Sequence, residues 1–338
     1  MPQGVPPAKA TDGGCGEVLA WIFPLFIFLE PPAFNAERRI ELEQNDFSFL
    51  GSVRDAYVDA RGHIFVADSK LAEIKMYDGD GHYLKTLAGR GDGPGQVQLP
   101  VSIAGDREFL YSADVKRGVL NLYGASDHEF KKACPLIDAK KVRVSGSNLA
   151  VAALNLERNE SIQFLSEDCA VHRGLLPIPA ICLDSMLVSS GMMLDFDRVG
   201  NLYGIHEMEY RIHQFSPDGT WTAAFPGSNP HYESPQNHPV VTTFSKKRLL
   251  EWLFSWTHVL NLVVAKPFDQ IWVQLKNFGP DEGFIDIYAT GGQLIVGAIR
   301  TDLRLLCSDP EGWVVALHDR IAEEEERFVI ERIRLTSP

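Results

Sequence analysis

One short pattern recurs along most of this 338-residue chain: an Asp-x-x-Gly-like turn that leads into a brief apolar strand. It reads "DARGHIFVAD" early on, then "GDREFLYSAD", "FDRVGNLYGI", "PFDQIWVQL" and, near the C-terminus, "SDPEGWVVAL". Downstream of most copies a further alternating segment ends on an aromatic residue, at Tyr77, Tyr123, Phe164, Phe215 and Tyr288. Polar turns follow those aromatics: "DGDGHY", "GASDHEF", "LSEDCAV", "SPDGTW" and "ATGGQL". The period of two is that of strands, and long helical patterns are nearly absent. The repeat is therefore a four-stranded antiparallel unit of roughly 40 to 50 residues. Such a unit cannot bury both of its faces alone. Stacking copies radially around an axis covers them, which is the propeller solution.

Counting copies gives five full units and a last one, "LRLLCSDPEGWVVALHDRIAEEEERFVIERIRL", with only three strands. The missing strand is available at the other end of the chain, in "RRIELEQ", Arg39 to Gln44. Pairing it beside the C-terminal strands closes the ring and leaves no open edge at the seam. The expected fold is all-β, a six-bladed β-propeller of four-stranded antiparallel blades over residues 37–338, closed by an N-terminal strand that joins the C-terminal blade. Seven blades is the alternative count.

Taken together, "D-x-x-G-x-(I/L)-(F/Y)-V-A-D", the aromatic-ended third strand, the "DGDG" turn and "GRGDGPGQVQLP" resemble the NHL-repeat-type six-bladed β-propellers. The resemblance covers roughly residues 40 to 338, is strongest in the first repeat and is faint in the third ("VRVSGSNLAVAAL"). It implies an interaction platform for a protein, peptide or glycan. It also implies that the Gly-Pro-Gly-Gln loop joins one blade to the next.

Three tempting motifs in the first repeat dissolve into turn chemistry. "DGDG", Asp78 to Gly81, sits between alternating strands, where hairpins favour Asp-Gly because φ must be positive. A calcium loop needs a Glu at its twelfth position and flanking helices, and the twelfth residue from Asp78 is Gly89. "GRGDGPGQ", Gly89 to Gln96, has no helix N-terminus after it to cradle a phosphate. The Arg-Gly-Asp within it reads as incidental.

The formal charge is −13, without a basic stripe, which excludes nucleic acid as a partner. Residues 1–36 are expected to be a disordered Pro/Gly-rich start followed by an apolar signal- or anchor-like segment, "VLAWIFPLFIFL", Val18 to Leu29. That run is short for a membrane-spanning helix and suits the apolar part of a secretory signal. Only Lys9 is basic upstream, and Phe34 stands where a small residue is preferred before cleavage. Two readings stay open: export or membrane attachment through residues 18–29, or packing of that run on a cytoplasmic domain. Of the five cysteines, Cys15, Cys134, Cys169, Cys182 and Cys307, none forms a CxxC pair. Buried thiols are expected, and in an oxidising compartment Cys169 with Cys182 is the expected disulfide by proximity.

Departures from the repeat are where function is sought, since propellers bind through loops at the ends of the channel. The largest departure is an insertion at about 227–266. Within it "FSKKRLLEWLFSW", Phe244 to Trp256, has helical spacing with Ser245 as an N-cap. His231, His238, Trp252 and Trp256 are its candidate binding residues, and side packing of an apolar helix face is the plainer alternative. Asp68, Asp114 and Glu207 follow second strands and are candidate ligands for a divalent cation in the central channel. In six-bladed lactonase- or esterase-like propellers such a cation polarises a carbonyl and activates water. The recurring turn also explains those carboxylates, and no GxSxG elbow or assignable acid–base pair is present. A non-catalytic binding propeller outside the cytoplasm is the leading expectation. A metal-dependent hydrolase or lyase and an intracellular scaffold are the alternatives.

Overall fold

The computed structural model describes residues 34–180, 182, 191–235, 246–277, 283–322 and 325–335. Among these, twenty-four strands form six four-stranded antiparallel sheets. The first strand, β1 (Phe34–Glu41), belongs to the last sheet. Blade one contains β2 (Val53–Val58), β3 (Ile64–Asp68), β4 (Glu73–Tyr77) and β5 (Tyr83–Ala88). Blade two runs through β6 (Pro100–Gly105), β7 (Phe109–Asp114), β8 (Val119–Gly124) and β9 (Phe130–Pro135). Blade three has β10 (Ile137–Ser145), β11 (Asn148–Asn155), β12 (Glu160–Leu165) and β13 (Val171–Leu175). In blade four these are β14 (Met192–Phe196), β15 (Leu202–His206), β16 (Glu209–Phe215) and β17 (Trp221–Pro226). Blade five follows with β18 (Thr257–Ala265), β19 (Gln270–Asn277), β20 (Gly283–Ala289) and β21 (Leu294–Thr301). Blade six has β22 (Leu303–Ser308), β23 (Val314–Ala322) and β24 (Glu325–Leu335), with β1 outermost.

The inner strands β2, β6, β10, β14, β18 and β22 neighbour one another in order, and β22 returns to β2, so the ring is closed. The closing strand begins earlier than the sequence suggests and ends at Glu41, with Ile40 opposite Ile330. Apolar clusters fill the spaces between blades, as radial stacking requires. One joins Ile40, Leu50, Ile64 and Tyr77 to Leu317 and Ile330, across the seam between blades six and one.

The turns behave as their residues demand. Gly81 has φ +92°, and Asp78 Oδ1 accepts the amides of Asp80 and His82, both at 2.9 Å. In the crossing from blade one to blade two, the Gln96 side chain accepts the Gly93 amide at 2.8 Å. The Tyr123 hydroxyl donates to the Gly95 carbonyl at 2.9 Å, tying the crossing to the blade it enters. Tyr77 does the same to Ser48 at 3.0 Å. The aromatic that ends the third strand thus has a repeated task.

One sequence expectation needs correcting. Cys169 is cross-linked to Cys134, not to Cys182, whose side chain is buried. Cys134 lies on the outer strand of blade two and Cys169 in the turn of blade three, at φ +71°. Blade stacking brings these two together, whereas proximity along the chain does not reach across a blade.

Candidate functional site

The axis of the ring is where blades converge, and its inner strands carry charge. Asp55 on β2 is fully buried and meets Arg143 of β10 at 3.0 Å and Lys141 of β10 at 3.2 Å. Ser102 of β6 donates to Asp55 Oδ2 at 2.6 Å and accepts the Val142 amide at 3.1 Å. Arg143 also donates to the Leu306 carbonyl of β22 at 3.0 Å and lies 3.8 Å from Asp195 of β14. Asn261 of β18 donates to the Leu305 carbonyl at 2.7 Å. Every blade contributes. The register of the inner strand shifts just before Asp55, Ser102 and Asn261, so a bulge in the inner strand turns a polar side chain toward the axis.

Two acids and two bases balance there. Burial pushes the Asp55 carboxyl up, but the Arg143 and Lys141 charges outweigh it and hold the group below its ordinary value. Burial, reinforced by Arg143, pulls the Lys141 ammonium down to about 8. Burial opposes the Arg143 charge, and Asp55 and Asp195 more than restore it. The Cys307 thiol beside them is pushed up to about 12 by burial. The centre of the channel is a closed ion network.

At the rim where inner strands begin, the candidate cation ligands have other duties. Asp68 accepts the amides of Ser52 at 3.1 Å, Lys70 at 2.9 Å and Leu71 at 3.0 Å. Asp114 accepts those of Gln98 at 2.6 Å, and Leu99 and Arg117 at 3.1 Å. Both carboxylates clamp a blade crossing to the neighbouring turn. In blade four the position opposite the start of the inner strand is His206 rather than Glu207, since Met192 pairs with His206 as Val53 pairs with Asp68. His206 Nδ1 accepts the Met208 amide at 3.1 Å, and its Nε2 lies 3.6 Å from Cys182 Sγ. Among the described residues, no three His, Cys, Asp or Glu side chains are placed to hold a metal ion.

The insertion closes over the same rim. Among the described residues its helix, α1, runs Lys246–Leu253 and stops before Phe254, while Phe244 and Ser245 lie outside the described residues. Trp252 and Trp256 are 4% and 2% exposed and pack with Leu154, Ile178, Cys182 and Met208 from blades three and four. Among the described residues, neither indole N–H has a hydrogen-bond partner. Trp256 stacks on His258 at 3.5 Å, and burial pulls His258 down to about 4. Of the other insertion candidates, His231 stacks on Phe284 at 4.5 Å, while His238 lies outside the described residues. Asn229 and Tyr210 both bind the buried Asp286, which fastens the root of the insertion to blade five.

Among the described residues, the opposite rim, where inner strands end, is open. A cavity of about 850 Å³ is built there from turns of blades one, two, three, five and six. Tyr57 forms part of its wall, with Phe65 behind it at 6.0 Å between ring centres. Asp59 and Asp106 also line it, but each is occupied within its own turn: Asp59 by the amides of Arg61 and His63, Asp106 by those of Glu108 and Phe109. Arg61, Arg107 and Lys266 reach the same space, as do Glu108 and Glu167. Sequence reading passed over these residues because they sit in the repeated turns, which look purely architectural.

No family model matches the chain, and no curated protein does. Solved structures do resemble it. A protein of Bacteroides fragilis inferred to be exported superimposes with a TM-score of 0.65 at 12% identity, covering 90% of this chain and 96% of its own. A DUF4221-family member from Bacteroides vulgatus gives 0.64 at 8% identity, covering 91% and 99%. A catalytically inactive virginiamycin B lyase from Staphylococcus aureus, with quinupristin, gives 0.53 at 12% identity, covering 88% and 83%. The shared property is the propeller fold.

Proposed function

We propose that this protein is a non-catalytic binding propeller that works outside the cytoplasm and takes a protein, peptide or glycan ligand at the rim where the inner strands end. One contrast carries this reading: the axis is sealed by the Asp55, Lys141, Arg143 and Asp195 network and the other rim is covered by the Trp252 and Trp256 cluster, while this rim holds the 850 Å³ cavity. The NHL-type pattern supports a role as an interaction platform. The Cys134–Cys169 cross-link suits an oxidising compartment. The exported neighbour from Bacteroides fragilis points the same way. Residues 18–29, which lie outside the described residues, would supply export or membrane attachment. Among the described residues no helix is long and apolar enough to cross a membrane.

The donor set does not fit the lactonase-like alternative. A divalent cation at the axis would meet Lys141 and Arg143, and the oxygens of Asp68 and Asp114 are taken by backbone amides.

Fractionating cells that express the full chain with a C-terminal tag tests the reading. The expected result is an extracytoplasmic pool, cleaved by added protease, in which Cys134 and Cys169 are joined. A protease-protected cytoplasmic pool with both thiols free would refute it.

A further inference from the structure

The cavity at the open rim has a charge pattern that narrows its ligand. Arg61, Arg107 and Lys266 carry three positive charges, Glu108 and Glu167 two negative ones. Among the described residues, none of the five side chains makes an ion pair or hydrogen bond, in a molecule of net charge −13. Asp59 and Asp106, by contrast, are saturated by their turns, and Tyr111 adds a further hydrogen bond to Asp106 at 2.9 Å.

The positions matter as much as the signs. Arg61 follows β2, Arg107 follows β6 and Lys266 follows β18, so the positive groups come from blades one, two and five. Blades two and five face each other across a six-membered ring. Positive groups drawn from three blades suit an extended chain, which can meet several of them at once, better than one compact anion. Glu108 stands beside Arg107, and Glu167 comes from the turn of blade three. A uniformly acidic polymer would bring its charge against these two carboxylates at every seating, and like charges in contact oppose binding.

Resting on the reading above, we propose that the ligand of this rim is an extended peptide of mixed charge. Its acidic groups meet Arg61, Arg107 and Lys266, and its basic groups meet Glu108 and Glu167. Tyr57, half-buried beside them, offers an apolar face with a hydroxyl at its edge, which suits a peptide side chain. The pairs formed are at a solvated rim, so they set selectivity and salt dependence more than absolute affinity.

A display library of random dodecapeptides selected on the intact protein provides the probe, with recovered peptides resynthesised and measured by fluorescence anisotropy. Recovered sequences are expected to carry both Asp or Glu and Lys or Arg. Their binding is expected to weaken about tenfold in the Arg61→Glu, Arg107→Glu double variant and to fall with added salt. The Glu108→Lys, Glu167→Lys variant is expected to move the preference toward purely acidic peptides. All four positions are exposed turn residues, and a thermal melt of each variant confirms an intact fold. Recovery of nothing, or of apolar or single-sign peptides, or affinities indifferent to the first variant, overturns the proposal. Polygalacturonate is run in parallel. Its retention by the wild type and loss in the Arg61→Glu, Arg107→Glu variant would overturn the peptide class while keeping the rim as the binding site. If neither probe responds to these substitutions, the rim itself is the wrong site.

Discussion

Asp55 of the first blade and Arg143 of the third form a 3.0 Å ion pair inside the ring, and neither side chain is more than 7% exposed. Removing one member of such a pair leaves the others charged and without compensation. The Asp55→Ala variant is expected to lose about 3–5 kcal/mol in urea unfolding. Replacing Asp55, Lys141 and Arg143 together by apolar residues of similar volume is expected to cost less than the single change. Equal unfolding midpoints for wild type and Asp55→Ala would show that the network does not hold the ring.

Acid should weaken the fold in two windows. His258 is neutral in the folded state because burial pulls it from its ordinary 6.5 to about 4. As pH falls from 6.5, the unfolded chain takes up this proton first, so stability declines until pH 4. At 1.36 kcal/mol per pH unit the loss approaches about 3 kcal/mol. The folded value of Asp55 lies below its unfolded one, so its contribution is present above about pH 4 and is lost as pH drops through the folded value. The melting temperature of His258→Phe should therefore depend less on pH between 6.5 and 4 while keeping the steep fall below it. A parallel decline in both proteins across the upper window would assign that sensitivity elsewhere.

The cross-link between Cys134 and Cys169 closes 35 residues of chain. Chain-entropy arguments give its removal a cost of about 3–4 kcal/mol. A Cys134→Ser variant should melt at the temperature of the reduced wild type. A non-reducing peptide map should join Cys134 to Cys169, and a Cys169–Cys182 peptide there would contradict the structure.

Ring closure depends on a few apolar contacts. Ile40 is 6% exposed opposite Ile330 at 1%. Ile40→Asp places a carboxyl group in that seam and should cost about 4 kcal/mol. Uncovering β24 should also make the protein associate as its concentration rises, because a free strand edge pairs with other chains. Light scattering that stays flat with concentration would count against this.

The architecture was legible because its determinants are local. Tyr77, Tyr123 and Tyr288 each lie within one residue of the end of a third strand, shortly before an Asp or Gly of the turn, and neither signal needs tertiary information. The ion network was not legible in that way. Asp55, Ser102, Lys141, Arg143 and Asn261 are ordinary polar residues on four inner strands until bulges turn those strands' polar side chains to one axis. Buried polar residues such as Ser102 and Asn261 within largely apolar first strands were the available signal. The disulfide was misread for a related reason, since Cys134 and Cys169 meet across a blade boundary. In the insertion, Trp252 on α1 and Trp256 just beyond its end share one apolar cluster, a contact that sequence spacing alone does not specify. The open rim stayed hidden because Arg61 and Arg107 sit in turns already explained by Asp59 and Asp106.

Because the outermost strand of the last blade comes from the beginning of the chain, the ring has a latch that only its two ends together can fasten. During synthesis or translocation β1 emerges first and has no partner until β24 follows, after every other blade. Its pairing, which sets Phe34 opposite Leu335, has the greatest sequence separation of any strand pair among the described residues, and contacts of that kind close slowly. The earlier blades can assemble pairwise in order, but blades one and six remain unlatched until the end.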